Sequence, residues 1–226
     1  MRAHVAFTPA EEAAAPLGIV VDVLRATSTI AQALSAGYRR VWCCAEIEDA
    51  RRLRAETEGS LVGGERLAQR VEGFDVGASP REFLAPGADT LILSTTNGTQ
   101  TILTAASRCD EVVLGSLLNL SAVARHARER DVDTAIFCAG FKGAFALDDA
   151  YCAGRIVALL GAERSDAAIA AELIAGSFAD AHTALLARTY GPPGLEEDIL
   201  FCSRESVLSV VPRFAGMVGV AAEIVP

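Results

Sequence analysis

The chain has 226 residues, 51% hydrophobic and 22% charged, with 20 Lys and Arg against 29 Asp and Glu, a formal net charge of −9 and a sequence pI near 4.9. That composition excludes an intrinsically disordered polymer, and the acidity argues against binding nucleic acid through its phosphates, which calls for a basic face. No apolar run reaches the roughly 20 residues of a membrane-spanning helix, and Met1-Arg2-Ala3-His4 leads into no apolar h-region, so a cytoplasmic protein is expected.

In chain order, residues 18–24 predict a buried strand with a carboxylate, Asp22, near its end. A helix is expected from Arg25 to a stop at Gly37, then a strand at 40–44 and a solvated, charge-paired helix at 46–58. Leu61-Val62 leads into Gly63-Gly64-Glu65-Arg66, and Glu72 to Pro80 reads as an ordered loop. An apolar strand at 89–94 runs into Thr95-Thr96-Asn97-Gly98-Thr99 and a helix to about Ser107. A short strand at 111–114 and a helix capped by Asn119 or Ser121 and running to Arg130 come next. A strand at 133–138, a helix at 147–160 stopped by Gly161, and an alanine-rich helix capped by Ser165 follow. Gly191-Pro192-Pro193-Gly194 breaks the chain before a helix at 196–208 and a last strand at 217–225.

This alternation predicts an α/β fold, layered α/β/α, with a mixed, largely parallel sheet. One compact domain is expected, with two related lobes dividing near 115–135 also open. In such sheets ligands sit beyond the carboxyl ends of strands, where the unusual residues of this chain fall.

Four clusters could carry chemistry. In Asp22-Val23-Leu24-Arg25-Ala26-Thr27-Ser28-Thr29 a carboxylate could hold a hard cation, Arg25 could grip an oxyanion, and a helix start offers free N–H groups. A plain strand–helix junction accounts for the same residues. Leu24 stands where a haloacid-dehalogenase motif needs a second Asp, so that class is disfavoured. Ser94 to Thr99 makes either an anion cradle or a polar turn, and lacks the Gly-Lys ending of a P-loop. Glu65 and Asp75 are candidate metal carboxylates among glycines that let backbone approach a ligand. Lys142 could neutralise an anion, and Asp148 or Asp149 could hold a metal, act as a base, or in the case of Asp148 simply cap a helix. The six cysteines show no metal-ligand spacing and read as buried thiols, Cys138 included. His126 and His182 read as structural.

At these residues the chain resembles the 2-phosphosulfolactate phosphatase family. The matching blocks are VVDVLRATSTI, GGER, GFDVGASP, STTNGT, LGSLLNLSA and CAGFKGAFALDDAYCAG, in the family's order over residues 20 to 154. Ala78 stands where the family usually shows Asn, and Asp148 where Glu is common. The resemblance implies a Mg²⁺-dependent acid phosphatase that hydrolyses 2-phospho-3-sulfolactate to sulfolactate and phosphate, a step of coenzyme M biosynthesis in some organisms. On that reading some of Asp22, Glu65, Asp75 and Asp149 supply the metal ligands, with waters completing the shell. Arg25, Thr27, Ser28 and the turn of Thr95, Thr96, Asn97 and Gly98 hold phosphate, and Arg66 or Lys142 neutralises sulfonate or carboxylate. Asp22, Arg25 and Asp149 are the catalytic candidates, with a metal-activated water as nucleophile or Asp22 as a covalent one. A homodimer is expected on general grounds. A non-catalytic binding protein for a phosphorylated or sulfonated acid, and a lyase or transferase on a related substrate, are the competing readings.

Overall fold

The computed structural model describes residues 1–66, 69–191 and 193–226. Its strands are β1 (Arg2–Ala6), β2 (Ala15–Val21), β3 (Arg40–Cys44), β4 (Leu61–Arg66), β5 (Gln69–Arg70), β6 (Thr90–Ser94), β7 (Cys109–Gly115), β8 (Thr134–Cys138), β9 (Glu163–Arg164), β10 (Arg213–Val218) and β11 (Ala221–Val225). The helices are α1 (Ala26–Ala36), α2 (Ile47–Glu56), α3 (Asn97–Ala106), α4 (Leu120–Arg130), α5 (Leu147–Leu160), α6 (Asp166–Gly176), α7 (Ala181–Leu186) and α8 (Glu196–Cys202).

All eleven strands join one sheet in the order β5-β4-β6-β3-β11-β10-β7-β2-β8-β1-β9. Two parallel blocks, β4-β6-β3 and β7-β2-β8-β1, are joined through the antiparallel hairpin β10–β11. The expected mixed, largely parallel α/β sheet is what the chain builds.

Side-chain alternation along the strands assigns the layers. Leu17, Ile19 and Val21 of β2 enter one core with α4, α5, α6, α7 and α8. Val20 enters the other, with Ile30 of α1, Ile102 of α3 and Leu91 of β6. Strands buried on both faces read as continuous apolar runs, which is why Gly18 to Val21 is so conspicuous in the sequence.

Alanine-rich α6 packs close on α5. A Cβ at Gly154 would overlap the carbonyl oxygen of Ala171 and come within 2.8 Å of the Ala175 Cβ. Ser165 caps α6 as expected, accepting from the Ala168 N–H at 3.2 Å. Gly37 and Gly161 end α1 and α5 in the left-handed conformation, at φ 112° and 64°.

Two expectations need correction. The helix expected at 196–208 stops at Cys202, because Ser206 takes a φ of 59° and its N–H is drawn to the Leu117 carbonyl at 2.9 Å. The single strand expected at 217–225 is the end of the β10–β11 hairpin, which turns at Gly219 with φ 59°. Strand β1, which lies between β8 and β9 and was not expected, also exists, with Ala3 and Val5 buried. Pro192 of the expected Gly-Pro-Pro-Gly break lies outside the described residues. No helix among the described residues is long and apolar enough to cross a membrane.

Gly154→Ala should lower stability by about 1–3 kcal/mol, because overpacking against a fixed backbone outweighs the gain in helix propensity. Urea unfolding reads this directly, and an unchanged or higher midpoint would contradict the close α5–α6 approach.

Candidate active site

A cavity of about 220 Å³ opens beyond the carboxyl ends of the parallel strands. Its wall takes Asp22 after β2, Glu65 and Arg66 from the end of β4, Thr95 to Asn97 after β6, and Gly140 to Lys142 after β8. Asp148 and Asp149 enter from the first turn of α5, and Arg188, Tyr190 and Leu195 from the segments after α7.

Asp22 closes the turn that starts α1. Its Oδ1 accepts from the Ala26 N–H at 3.1 Å, and its carbonyl accepts the Thr27 N–H and hydroxyl, both at 2.9 Å. Asp149 ties three segments together. Its Oδ1 accepts from the Val23 N–H and its Oδ2 from the Gly140 N–H, both at 2.9 Å, which locks the end of β2 to the loop after β8 and to α5. Asp148 accepts from the Tyr190 hydroxyl.

These three carboxyls are buried, and burial sets their acidity. Burial pushes Asp22 up to about 7, with the Asp148 and Glu65 charges adding and the Ala26 N–H and Arg25 opposing. Burial, with the Asp148 and Asp22 charges, holds Asp149 well above the usual carboxylate range. Asp148 is also raised by burial, against the Tyr190 hydrogen bond and Arg188.

Arg25 follows a cis Leu24–Arg25 peptide bond. Its Nη1 donates to Asp198 Oδ2 at 2.7 Å, and its Nη2 lies 3.9 Å from Glu65 Oε2. Asp198, in the first turn of α8, also accepts from the Ser79 hydroxyl at 2.5 Å. The loop holding Ser79 is in turn pinned to α1 by Thr29, whose hydroxyl donates to the Ala78 carbonyl at 2.8 Å. Arg25 is thus presented to the cavity by a fixed, buried carboxylate.

Of the residues expected from sequence, Asp22, Arg25, Glu65, Arg66, Thr95, Thr96, Asn97, Lys142 and Asp149 line the cavity together. Thr27 and Ser28 lie beneath it with their hydroxyls spent on the Asp22 and Val23 carbonyls. Gly98 sits against Asp22, and a Cβ there would lie 2.9 Å from Asp22 Oδ2, so this glycine makes room for the carboxylate. Asp75 stands away from the lining, accepting from the Val62 N–H at 2.9 Å with Arg54 at 3.5 Å. Asp148 is not the cap of α5, whose N-cap position is Ala146. Both departures from the family pattern, Ala78 and Asp148, fall in the cavity wall. Cys138 is buried, and burial with the Asp149 charge keeps its thiol far above its ordinary value, as suits an inert core thiol.

Sequence reading missed Asp198, Ser79, Arg188 and Tyr190. The family block GFDVGASP contains Ser79, but the other three lie in weakly patterned sequence far from the cavity's other walls.

Among the described residues no three His, Cys, Asp or Glu side chains form a metal cage. The oxygen donors suit a hard cation held in the open manner usual for Mg²⁺, through one or two carboxylates with waters and substrate oxygens completing the shell. Asp22 and Glu65 fit that role better than Asp149, whose two oxygens are engaged by backbone N–H groups.

Fold and site together define an α/β protein with a small pocket at its strand ends, lined by the carboxylates of Asp22, Asp148 and Asp149 and by the cations of Arg25, Arg66, Lys142 and Arg188. Residues 4–216 match the family model for 2-phosphosulpholactate phosphatase. Relatives named "Probable 2-phosphosulfolactate phosphatase" include one from Thermus thermophilus, 37% identical over 98% of both chains. Another, from Thermotoga petrophila, is 38% identical over 91% of this chain and 92% of its own. A third, from Pseudothermotoga lettingae, is 40% identical over 87% and 88%. The chain belongs to the 2-phosphosulfolactate phosphatase family, a family of phosphoric monoester hydrolases.

Asp198→Ala leaves Arg25 without its closest carboxylate. It should cost about 3–5 kcal/mol of unfolding free energy, as for other broken buried pairs. A loss below about 1 kcal/mol in urea unfolding would show that Arg25 does not depend on Asp198.

Proposed function

We propose that this chain hydrolyses 2-phospho-3-sulfolactate, or a closely related phosphorylated 2-hydroxy acid, to the hydroxy acid and inorganic phosphate. The observation that carries the reading is the meeting of Asp22, Arg25 and the Thr95–Asn97 turn in one cavity at the strand ends. The relatives' names support the substrate.

A phosphomonoester is inert, and catalysis rests on positioning and on stabilising charge spread over the phosphoryl oxygens. Arg25, immobilised by Asp198, offers a planar fork of donors to those oxygens. The Thr95–Asn97 turn adds hydroxyls and the first free N–H groups of α3, where the helix dipole favours an anion. Asp22 supplies a carboxylate at the same point, held in place by the Ala26 N–H and by the space that Gly98 leaves. Mg²⁺ bound by Asp22 and Glu65 would neutralise buried negative charge and lower the pKa of a bound water. Asp149 acts as the fastener that aligns Asp22 and the Gly140 loop. A cytoplasmic setting and a homodimer complete the proposal.

Phosphate release from 2-phospho-3-sulfolactate should depend on Mg²⁺ and cease with EDTA. Asp22→Ala should lower kcat by about 100-fold or more. Full activity of Asp22→Ala, or undiminished turnover in EDTA, would overturn the assignment. Absence of release from any phosphorylated hydroxy acid would favour the binding-protein or lyase readings.

A further inference from the structure

The support beneath Arg25 extends past Asp198. The two oxygens of this carboxylate face different partners. Oδ2 accepts from Arg25 Nη1 at 2.7 Å, and Oδ1 accepts from the Ser79 hydroxyl at 2.5 Å. Both charged side chains are nearly withdrawn from water, Asp198 at 5% exposure and Arg25 at 9%. A buried carboxylate needs both oxygens met, and a donor on the far oxygen resists rotation of the group away from Arg25.

The Ser79 hydroxyl has one proton to give. Its oxygen accepts from the Arg81 N–H at 3.3 Å, and the proton goes to Asp198. The surrounding turn holds that direction. Ser79 and Glu82 form a capping box at the start of the short 3₁₀ turn Pro80–Glu82. Glu82 Oε2 also accepts from the Gly77 N–H at 2.9 Å, and a Cβ at Gly77 would lie 2.6 Å from Glu82 Oε1, so this glycine leaves the carboxylate its place.

The turn is in turn fixed to the helix that Arg25 precedes. The Thr29 hydroxyl of α1 donates to the Ala78 carbonyl at 2.8 Å, and the Thr29 N–H donates to the Arg25 carbonyl at 2.9 Å. The contacts Arg25, Asp198, Ser79, Ala78 and Thr29 therefore close into a ring, with Arg25 as its member of the cavity wall that carries a charge. Ser79 itself stands outside the cavity lining.

Arg81 reaches α8 by another route. Its guanidinium pairs with Glu197 and lies 3.7 Å from Asp198 Oδ1, and its side chain is 44% exposed. A half-exposed ion pair is screened by water and sets no direction on Asp198 comparable to the Ser79 bond.

We propose that Ser79 is a positioning residue for the phosphatase reaction: through Asp198 it sets the direction from which the Arg25 guanidinium meets the phosphoryl oxygens. The inference rests on the phosphatase reading and adds to it a residue that touches no substrate. An electrostatic donor aids turnover only when it already points at the charge that develops, so a guanidinium free to turn with its carboxylate is a weaker catalyst.

A double-mutant cycle with Arg25 tests this. Ser79→Ala should lower kcat for 2-phospho-3-sulfolactate with Mg²⁺ about 10-fold. Ser79→Thr, which keeps the hydroxyl, should restore it to within about 3-fold, and Arg81→Gln should change it by no more than that. In an Arg25→Lys background the planar fork is gone, and Ser79→Ala should cost less than about 2-fold further. A role in folding alone would add its full cost in either background. Circular dichroism checks folding, and Ser79→Cys, with its weaker donor, carries the cycle if Ser79→Ala does not fold. Wild-type kcat in Ser79→Ala, an undiminished cost in the Arg25→Lys background, or an equal loss in Arg81→Gln would overturn the assignment. Calorimetric titration of the same variants with inorganic phosphate separates this from the reaction itself. A wild type that releases no phosphate from the ester, yet binds inorganic phosphate with the same non-additive dependence on Ser79 and Arg25, would uphold the positioning of Arg25 and overturn the phosphatase reading. A wild type that neither releases nor binds phosphate would overturn both.

Discussion

The structure turns on buried carboxylates at the strand ends. Asp149 is almost wholly withdrawn from water, yet both of its oxygens are met by backbone N–H groups, from Val23 after β2 and Gly140 after β8. A buried polar group stays in place only when its partners are supplied, so this bond pair fixes the two strand ends and α5 relative to one another. Asp22 stands beside that fastener in the turn leading to α1, its Oδ1 held by the Ala26 N–H. The energy for keeping three acidic groups so close comes from the two apolar cores on either side of the sheet.

Charge in the cavity is distributed by commitment. Arg25 has a buried partner in Asp198, which is itself held by the Ser79 hydroxyl. Arg66 is tied to carbonyls and the Ser94 hydroxyl and shapes the wall. Lys142 and Arg188 lie against the Phe141 and Tyr190 rings, and the Arg188 Nε has no partner among the described residues. One pocket thus gathers four cations although the chain as a whole carries a net charge of −9.

Much of the fold was legible because its signals are local. Strand β3 and helix α5 fall at the expected residues, where apolar runs end at a glycine or a polar turn. The last 30 residues were harder. A helix pattern through Ser203 to Leu208 is broken by contacts with Leu117 and Leu118, and a hairpin hides inside one apolar run because Gly219 alone marks its turn. The site divides the same way. Asp22, Arg25 and Thr95 to Asn97 follow strands and are visible as polar residues where the apolar run stops. Asp198 meets Arg25 from 173 residues away, and no spacing rule reaches that far. Thr27 and Ser28 show the opposite error, since hydroxyls at a helix start looked like ligand donors while the backbone beneath them needed them more.

The central claim is that the phosphoryl group is handled at the end of β2, against Asp22 and Arg25. A crystal structure with orthovanadate and Mg²⁺ tests it most directly, because vanadate takes the shape of the transferring phosphoryl group. The account predicts vanadate beside Asp22, within hydrogen-bond reach of the Arg25 guanidinium and the Thr95–Asn97 turn. Vanadate bound instead only at the Lys142–Arg188 wall, or only outside the cavity, would contradict it.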